Sequence, residues 1–174
     1  QRKAVTDSKE VIYDGFRQAL SLGVPVASAG VLVDEEFGAD ILRDAAANEY
    51  VTVLPTERSG SDEFEFEYGA EFASHIAAFK PTFAKALVRY NPEGDATLNQ
   101  RQTARLKQLS DYCRSVGQRF MVELLVPPTP AQRTRVDAFE TTYDRLMRPR
   151  LVLQAIRTLQ DAGVEPDVWK VEGL

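Results

Sequence analysis

Five short apolar runs punctuate the chain, and a stretch long enough for a helix separates each from the next. They are Ala29-Gly30-Val31-Leu32-Val33, Val51-Thr52-Val53-Leu54, Thr82 to Tyr90, Arg119 to Val126 and Asp167 to Val171. No hairpin signal joins any two of them, and each is nearly continuous in its apolar character. Strands of this kind are buried on both faces, as in a parallel sheet covered by helices. The intervening stretches supply those helices. Ile12, Phe16, Ala19 and Leu20 share a helical face ended by Gly23, Ile41, Leu42, Ala45 and Ala46 mark a second, and residues 72–79 form a third. Leu98, Leu106, Leu109, Cys113 and Val116 repeat at helical spacing up to Gly117, and Leu151, Val152, Ala155, Ile156 and Leu159 do so up to Gly163. A polar segment leads from Pro127-Pro128 into that last helix. The acidic stretch from Thr56 to Glu67 reads as a polar loop, with Asp62 to Glu67 solvated. The 174 residues make one α/β domain's worth of chain, without repeats or linkers.

Composition removes several functions. There are 26 acidic against 21 basic residues and no basic block, so nucleic acid is not an expected partner. One histidine (His75) and one cysteine (Cys113) rule out a His-rich zinc site within the chain and any internal disulfide. A Ser-His-Asp triad would have to run through His75 alone, and His75 reads as structural. Cys113 reads as core, and Trp169 as packing between strand and helix layers. No apolar run approaches the roughly 20 residues of a membrane span, and the expected location is the cytoplasm. Neither G-x-G-x-x-G nor a phosphate-binding P-loop motif occurs.

The informative residues are charges inside the strands: Lys85, Arg89 four residues on, Glu123 and Lys170. Burying a charge costs several kcal/mol unless it is paired. Lys85 and Arg89 are two strand periods apart and share a face, which in a parallel barrel is the interior. Two lysines and a glutamate, with no histidine and no metal, suit Schiff-base chemistry. A lysine amine attacks a ketone only when neutral, so its pKa must fall, and desolvation or a second cation lowers it. The carboxylate can then move protons. Flanked by Val168, Trp169 and Val171, Lys170 is expected in the more desolvated setting of the two.

At these residues the chain resembles the class I tagatose-1,6-bisphosphate aldolase family and its sulfosugar-phosphate relatives. It is most similar to the aldolase-like domain of bacterial inositol catabolism, often fused to a 5-dehydro-2-deoxygluconokinase. The matching stretches are Leu32 to Gly38, Thr56 to Gly60, Lys85 to Asp95, Phe120 to Leu125 and Asp167 to Gly173. The resemblance implies Lys170 as the Schiff-base lysine, Lys85 as a second, substrate-contacting lysine and Glu123 as the proton-transfer carboxylate. Asp34 and Glu57 become substrate-binding candidates. Arg89, where the tagatose enzymes carry an uncharged residue, becomes a contact for a carboxylate-bearing substrate. No metal and no cofactor are implied.

The family fold is a (β/α)₈ TIM barrel of about 250 residues, so residues 1–174 are expected to be a partial barrel domain, strands two to six, truncated at both ends and inactive alone. The implied reaction cleaves 2-deoxy-5-keto-gluconate 6-phosphate to dihydroxyacetone phosphate and malonate semialdehyde. The implied partners are a small-molecule sugar phosphate, a fused sugar kinase domain and further copies in a homo-oligomer, without a membrane. Three other readings compete: a tagatose-bisphosphate or sulfosugar-phosphate aldolase, a non-catalytic sugar-phosphate-binding barrel regulating an attached kinase, and a metal-dependent isomerase using Asp34, Glu57, Glu123 and Glu172.

Overall fold

A computed structural model of the chain describes residues 2–135 and 140–173. Its strands are β1 (Gly30–Leu32), β2 (Val51–Pro55), β3 (Phe83–Arg89), β4 (Phe120–Leu125) and β5 (Val168–Val171). They pair in sequence order, and every pair is parallel. The sheet is curled, an all-parallel five-stranded half-barrel. Each expected strand is present within a residue or two of its expected limits. The helices are α1 (Arg2–Ser21), α2 (Glu35–Ala47), α3 (Phe72–Phe79), α4 (Ala96–Val116), α5 (Pro130–Arg135), α6 (Glu140–Leu146) and α7 (Arg148–Asp161). The polar segment after Pro127-Pro128 thus contains α5 and α6, which carry no long apolar period.

Side-chain alternation divides the sheet into two unlike faces. One face of the strands carries Val33, Leu54, Ala84, Ala86, Val88, Phe120, Val122 and Leu124. These pack with Leu42 and Ala45 of α2, Ile76 of α3, Leu106 and Leu109 of α4, and Leu151, Ala155 and Leu159 of α7 in a single buried cluster. The other, inner face turns away from the helices, and it holds the charges.

Local chemistry sets the helix limits. Asp34 and Asp95 cap α2 and α4, each accepting the backbone N–H three residues on at 2.9 Å. Gly117 ends α4 in the left-handed region, at φ 69°. Helix α1 corrects one expectation: Ile12 is 72% exposed, and Tyr13 is the buried residue of the helix. The reason is that α1 lies against α2, where the Tyr13 hydroxyl donates to Asp44 at 2.6 Å and Phe16 meets the Tyr50 ring.

Gly38, inside α2, lets the helix lie close against Val33, just past β1. A Cβ there would lie 2.1 Å from Val33 Cγ2, on a buried β-branched side chain with little freedom to move. Gly38→Ala should destabilise the fold by about 1–3 kcal/mol. Adding Val33→Ala should return part of that loss, as a favourable coupling in a denaturant double-mutant cycle. Simple additivity would show that the contact does not limit this position.

Candidate active site

Strand alternation puts Lys85, Leu87 and Arg89 together on the inner face, and the register aligns Leu87 with Glu123 and Glu123 with Lys170. Neighbouring strands therefore bring the charged residues into contact. The Lys85 ammonium donates to Glu57 Oε1 at 2.6 Å and contacts Glu123 Oε2 at 2.8 Å. Lys170 Nζ donates to the other oxygen of Glu123. The result is an unbroken alternation of charge, Glu57–Lys85–Glu123–Lys170, running from the end of β2 to β5. Burial alone would raise the Glu123 carboxyl, but hydrogen bonds from Lys170 and Lys85 outweigh it and hold the group below the ordinary carboxylate range.

The two lysines exchange their expected environments. The Lys85 side chain is 5% exposed and that of Lys170 is 54% exposed. In the described sheet β3 is the central strand, flanked on both sides, whereas β5 pairs with β4 alone among the described residues. Trp169, next to Lys170, turns to the opposite face, into the packed layer.

Glu57 reaches Lys85 because the segment after β2 is a hairpin and not a solvated loop. Glu57 pairs antiparallel with Phe66, the Arg58 N–H donates to Glu65 O at 2.8 Å, and the Glu67 N–H donates to Thr56 O at 3.0 Å. Phe64 and Phe66 enter the core, with Phe66 stacked on Phe72 at 4.1 Å. Glu63 accepts from Arg101 and Arg105 of α4, which hold its carboxyl down at about 2. Gln102, fully buried on α4, accepts from the Phe64 N–H at 2.8 Å and donates to Arg89 O at 3.0 Å. It ties the hairpin to the end of β3. Sequence reasoning missed Gln102, although a polar residue four positions from both Leu98 and Leu106 was its signal.

Asp34 accepts from Phe37 N and Lys9; burial pushes its carboxyl up, but those two donors hold it below the usual range. It lines a cavity of about 340 Å³ with Lys9, Leu32, Glu57, Glu67 and Tyr68, but makes no hydrogen bond to the lysine cluster. Arg89 donates to Ser61 O at 3.1 Å beside a smaller cavity that Glu57 also lines. The four carboxylates of the metal reading do not converge: Glu172 is taken by Arg148 and by Val126 N, and the other three by Lys9, Lys85 and Lys170. Among the described residues no three His, Cys, Asp or Glu side chains are grouped to hold a metal ion. His75 is bonded to Glu35 at 2.7 Å and stacked on Tyr68, and Cys113 is core, its thiol pushed up to about 12 by burial. Among the described residues no helix is long and apolar enough to cross a membrane.

Fold and site together define an α/β protein whose curled parallel sheet presents a lysine–glutamate cluster on its inner face. The chain belongs to the family described as an uncharacterized protein conserved in bacteria (DUF2090), whose model matches residues 1–174. No curated protein matches it.

Two measurements check the cluster. Lys85→Met leaves the enclosed Glu57 carboxylate without a cation and Glu123 with Lys170 alone, and should cost about 3–5 kcal/mol in denaturant unfolding. Lys170→Met removes a half-exposed partner and should cost under about 1 kcal/mol. Equal losses would contradict the described difference in burial. The pH dependence follows from the sign of the Glu123 shift. Its folded pKa lies below the unfolded value, so its stabilisation is complete above about pH 4.3 and is lost as pH falls through the folded value. The stability gap between the wild type and Glu123→Gln should therefore narrow on acidification below about pH 5. A gap that widened would reverse the assigned direction.

Proposed function

We propose that this chain carries the catalytic face of a class I aldolase built on a (β/α)₈ barrel, with a phosphorylated keto sugar acid as substrate. The reading rests on one observation: Glu123 accepts from two lysine amines of unlike exposure, Lys85 and Lys170. Both bonds lie on the inner face of a parallel half-barrel, and barrel enzymes build their sites at the carboxyl ends of such strands.

Access and proton transfer assign the roles. Lys170 is the amine a ketone can reach, and its single carboxylate partner can take its proton. The freed amine attacks the ketone carbon, Glu123 returns the proton to the departing hydroxyl, and water leaves an iminium. Glu123 then removes the proton from the substrate's β-hydroxyl. The adjacent carbon–carbon bond breaks, its electron pair moves to the iminium nitrogen, and an aldehyde departs. Glu123 protonates the enamine carbon, and water releases the ketone product and the lysine. Lys85, fixed between Glu57 and Glu123, supplies positive charge where substrate oxygens gain negative charge. The iminium is the electron sink, so the scheme needs no cofactor. The substrate that the sequence resemblance favours is 2-deoxy-5-keto-gluconate 6-phosphate, and Arg89, which pairs with no carboxylate among the described residues, suits its acid group.

Borohydride treatment of the full-length protein with dihydroxyacetone phosphate should trap a covalent adduct. Peptide mass mapping should place it on Lys170, and it should vanish in Lys170→Ala. An adduct on Lys85, or cleavage without any adduct, would overturn the assignment. Cleavage of tagatose bisphosphate or a sulfosugar phosphate, with none of the keto acid, would keep the chemistry and change the substrate.

A further inference from the structure

Arg89 stands apart from the other cations around the hairpin. Arg58 pairs with Glu65, Arg101 and Arg105 pair with Glu63, and Lys85 pairs with Glu57 and Glu123. Among the described residues Arg89 pairs with no carboxylate, and its one hydrogen bond goes to a backbone carbonyl, Ser61 O. A guanidinium has five N–H donors in a fixed fork, so most of its capacity is unused. The cavity it borders measures about 140 Å³ and is lined also by Glu57, Ser59, Gly60, Ser61 and Leu87. The hydroxyls of Ser59 and Ser61 and the N–H of Gly60 have no protein partner among the described residues. Gly60 holds φ at +78°, and a Cβ there would meet nothing within 4 Å, so the space above the hairpin tip is open.

The two carboxylates that line this pocket are already paired, Glu57 with Lys85 and Glu63 with Arg101 and Arg105, and the Glu67 carboxylate accepts from Ser59 N at its rim. A guanidinium fork with free hydroxyl and amide donors around a small space is a complement to a planar or tetrahedral oxyanion. The pocket also adjoins the reactive cluster, because Glu57 lines it and bonds Lys85.

We infer that Arg89 and the Ser59-Gly60-Ser61 hairpin tip form an oxyanion subsite, which receives the carboxylate or phosphate end of the substrate beside the Lys85–Glu57 pair. The inference deepens the aldolase reading and rests on it for the identity of the molecule that brings the anion. Binding of the anion itself can be tested without turnover.

Amide NMR titrations of the full-length protein with inorganic phosphate and, separately, with malonate provide the test. One of the two anions should shift the Gly60 and Ser61 resonances saturably. Arg89→Met should weaken that binding by about tenfold or more, and Arg89→Lys, which keeps the charge but loses the fork, should fall between. A response to phosphate alone assigns the phosphate end, and one to malonate alone assigns the carboxylate end. No saturable shift with either anion in the wild type overturns the subsite, as does undiminished binding in a folded Arg89→Met. Trapping of wild-type Lys170 with dihydroxyacetone phosphate separates the two failures. Anion binding without trapping keeps the subsite and removes the aldolase, whereas trapping without anion binding does the reverse.

Discussion

The Lys85 ammonium lies on the central strand of the sheet, almost out of contact with water. An ion so placed costs several kcal/mol unless its partners surround it closely, and the arrangement of neighbouring elements follows from that need. Glu123 meets it because β4 runs parallel to β3 in the register that sets Lys85 against Met121 and Leu87 against Glu123. Glu57 meets it because the chain turns back after β2 into a hairpin, instead of leaving directly for α3. Thr56 anchors that departure, its N–H and hydroxyl both donating to Lys85 O, at 2.8 and 2.9 Å. One buried cation therefore ties together β2, β3, β4 and the hairpin.

The two faces of the sheet divide structure from chemistry. On the helix side β3 shows Ala84, Ala86 and Val88, all without solvent exposure, and two of the three are small enough for helices to approach closely. On the inner side the same strand shows Lys85, Leu87 and Arg89. A parallel sheet in a stable domain is normally apolar on both faces. A row of charges on one face gives up packing, and the loss is tolerable because opposite charges alternate along the row. Glu123 is the keystone of that row, since it alone touches both lysines. Its depressed pKa keeps it ionised across the physiological range, as a counter-charge to both lysines.

Much of this was legible in the residues. The five strands, their parallel sense and the helices α2, α3, α4 and α7 follow from apolar periodicity, because burial against one common core imposes that periodicity. The gathering of Lys85, Glu123 and Lys170 follows from side-chain parity once the strands are adjacent. Three things did not follow. The hairpin was hidden by its acidity, although Glu63-Phe64-Glu65-Phe66-Glu67 alternates in strict strand period, with the aromatic residues buried and the glutamates turned outward. The exposures of Lys85 and Lys170 follow from how many described strands flank each one, which local apolarity does not encode. Ile12 lies one residue from Tyr13, and only the packing of α1 on α2 decides which of them is buried.

The hairpin's firm attachment to α4 bears on what its tip can do. Loops that bind ligands gain precision when a rigid scaffold fixes them beforehand, because ordering then costs little at the moment of binding. Here the fixing is threefold: Phe64 and Phe66 in the core, Gln102 bonded to both hairpin and β3, and Glu63 forked by Arg101 and Arg105. With the Glu63 carboxyl held down at about 2, the fork keeps its charge at any pH near neutrality, so the strap does not loosen as protons come and go. The tip at Ser59-Gly60-Ser61 stands over the end of β3, where Arg89 waits without a counter-ion among the described residues.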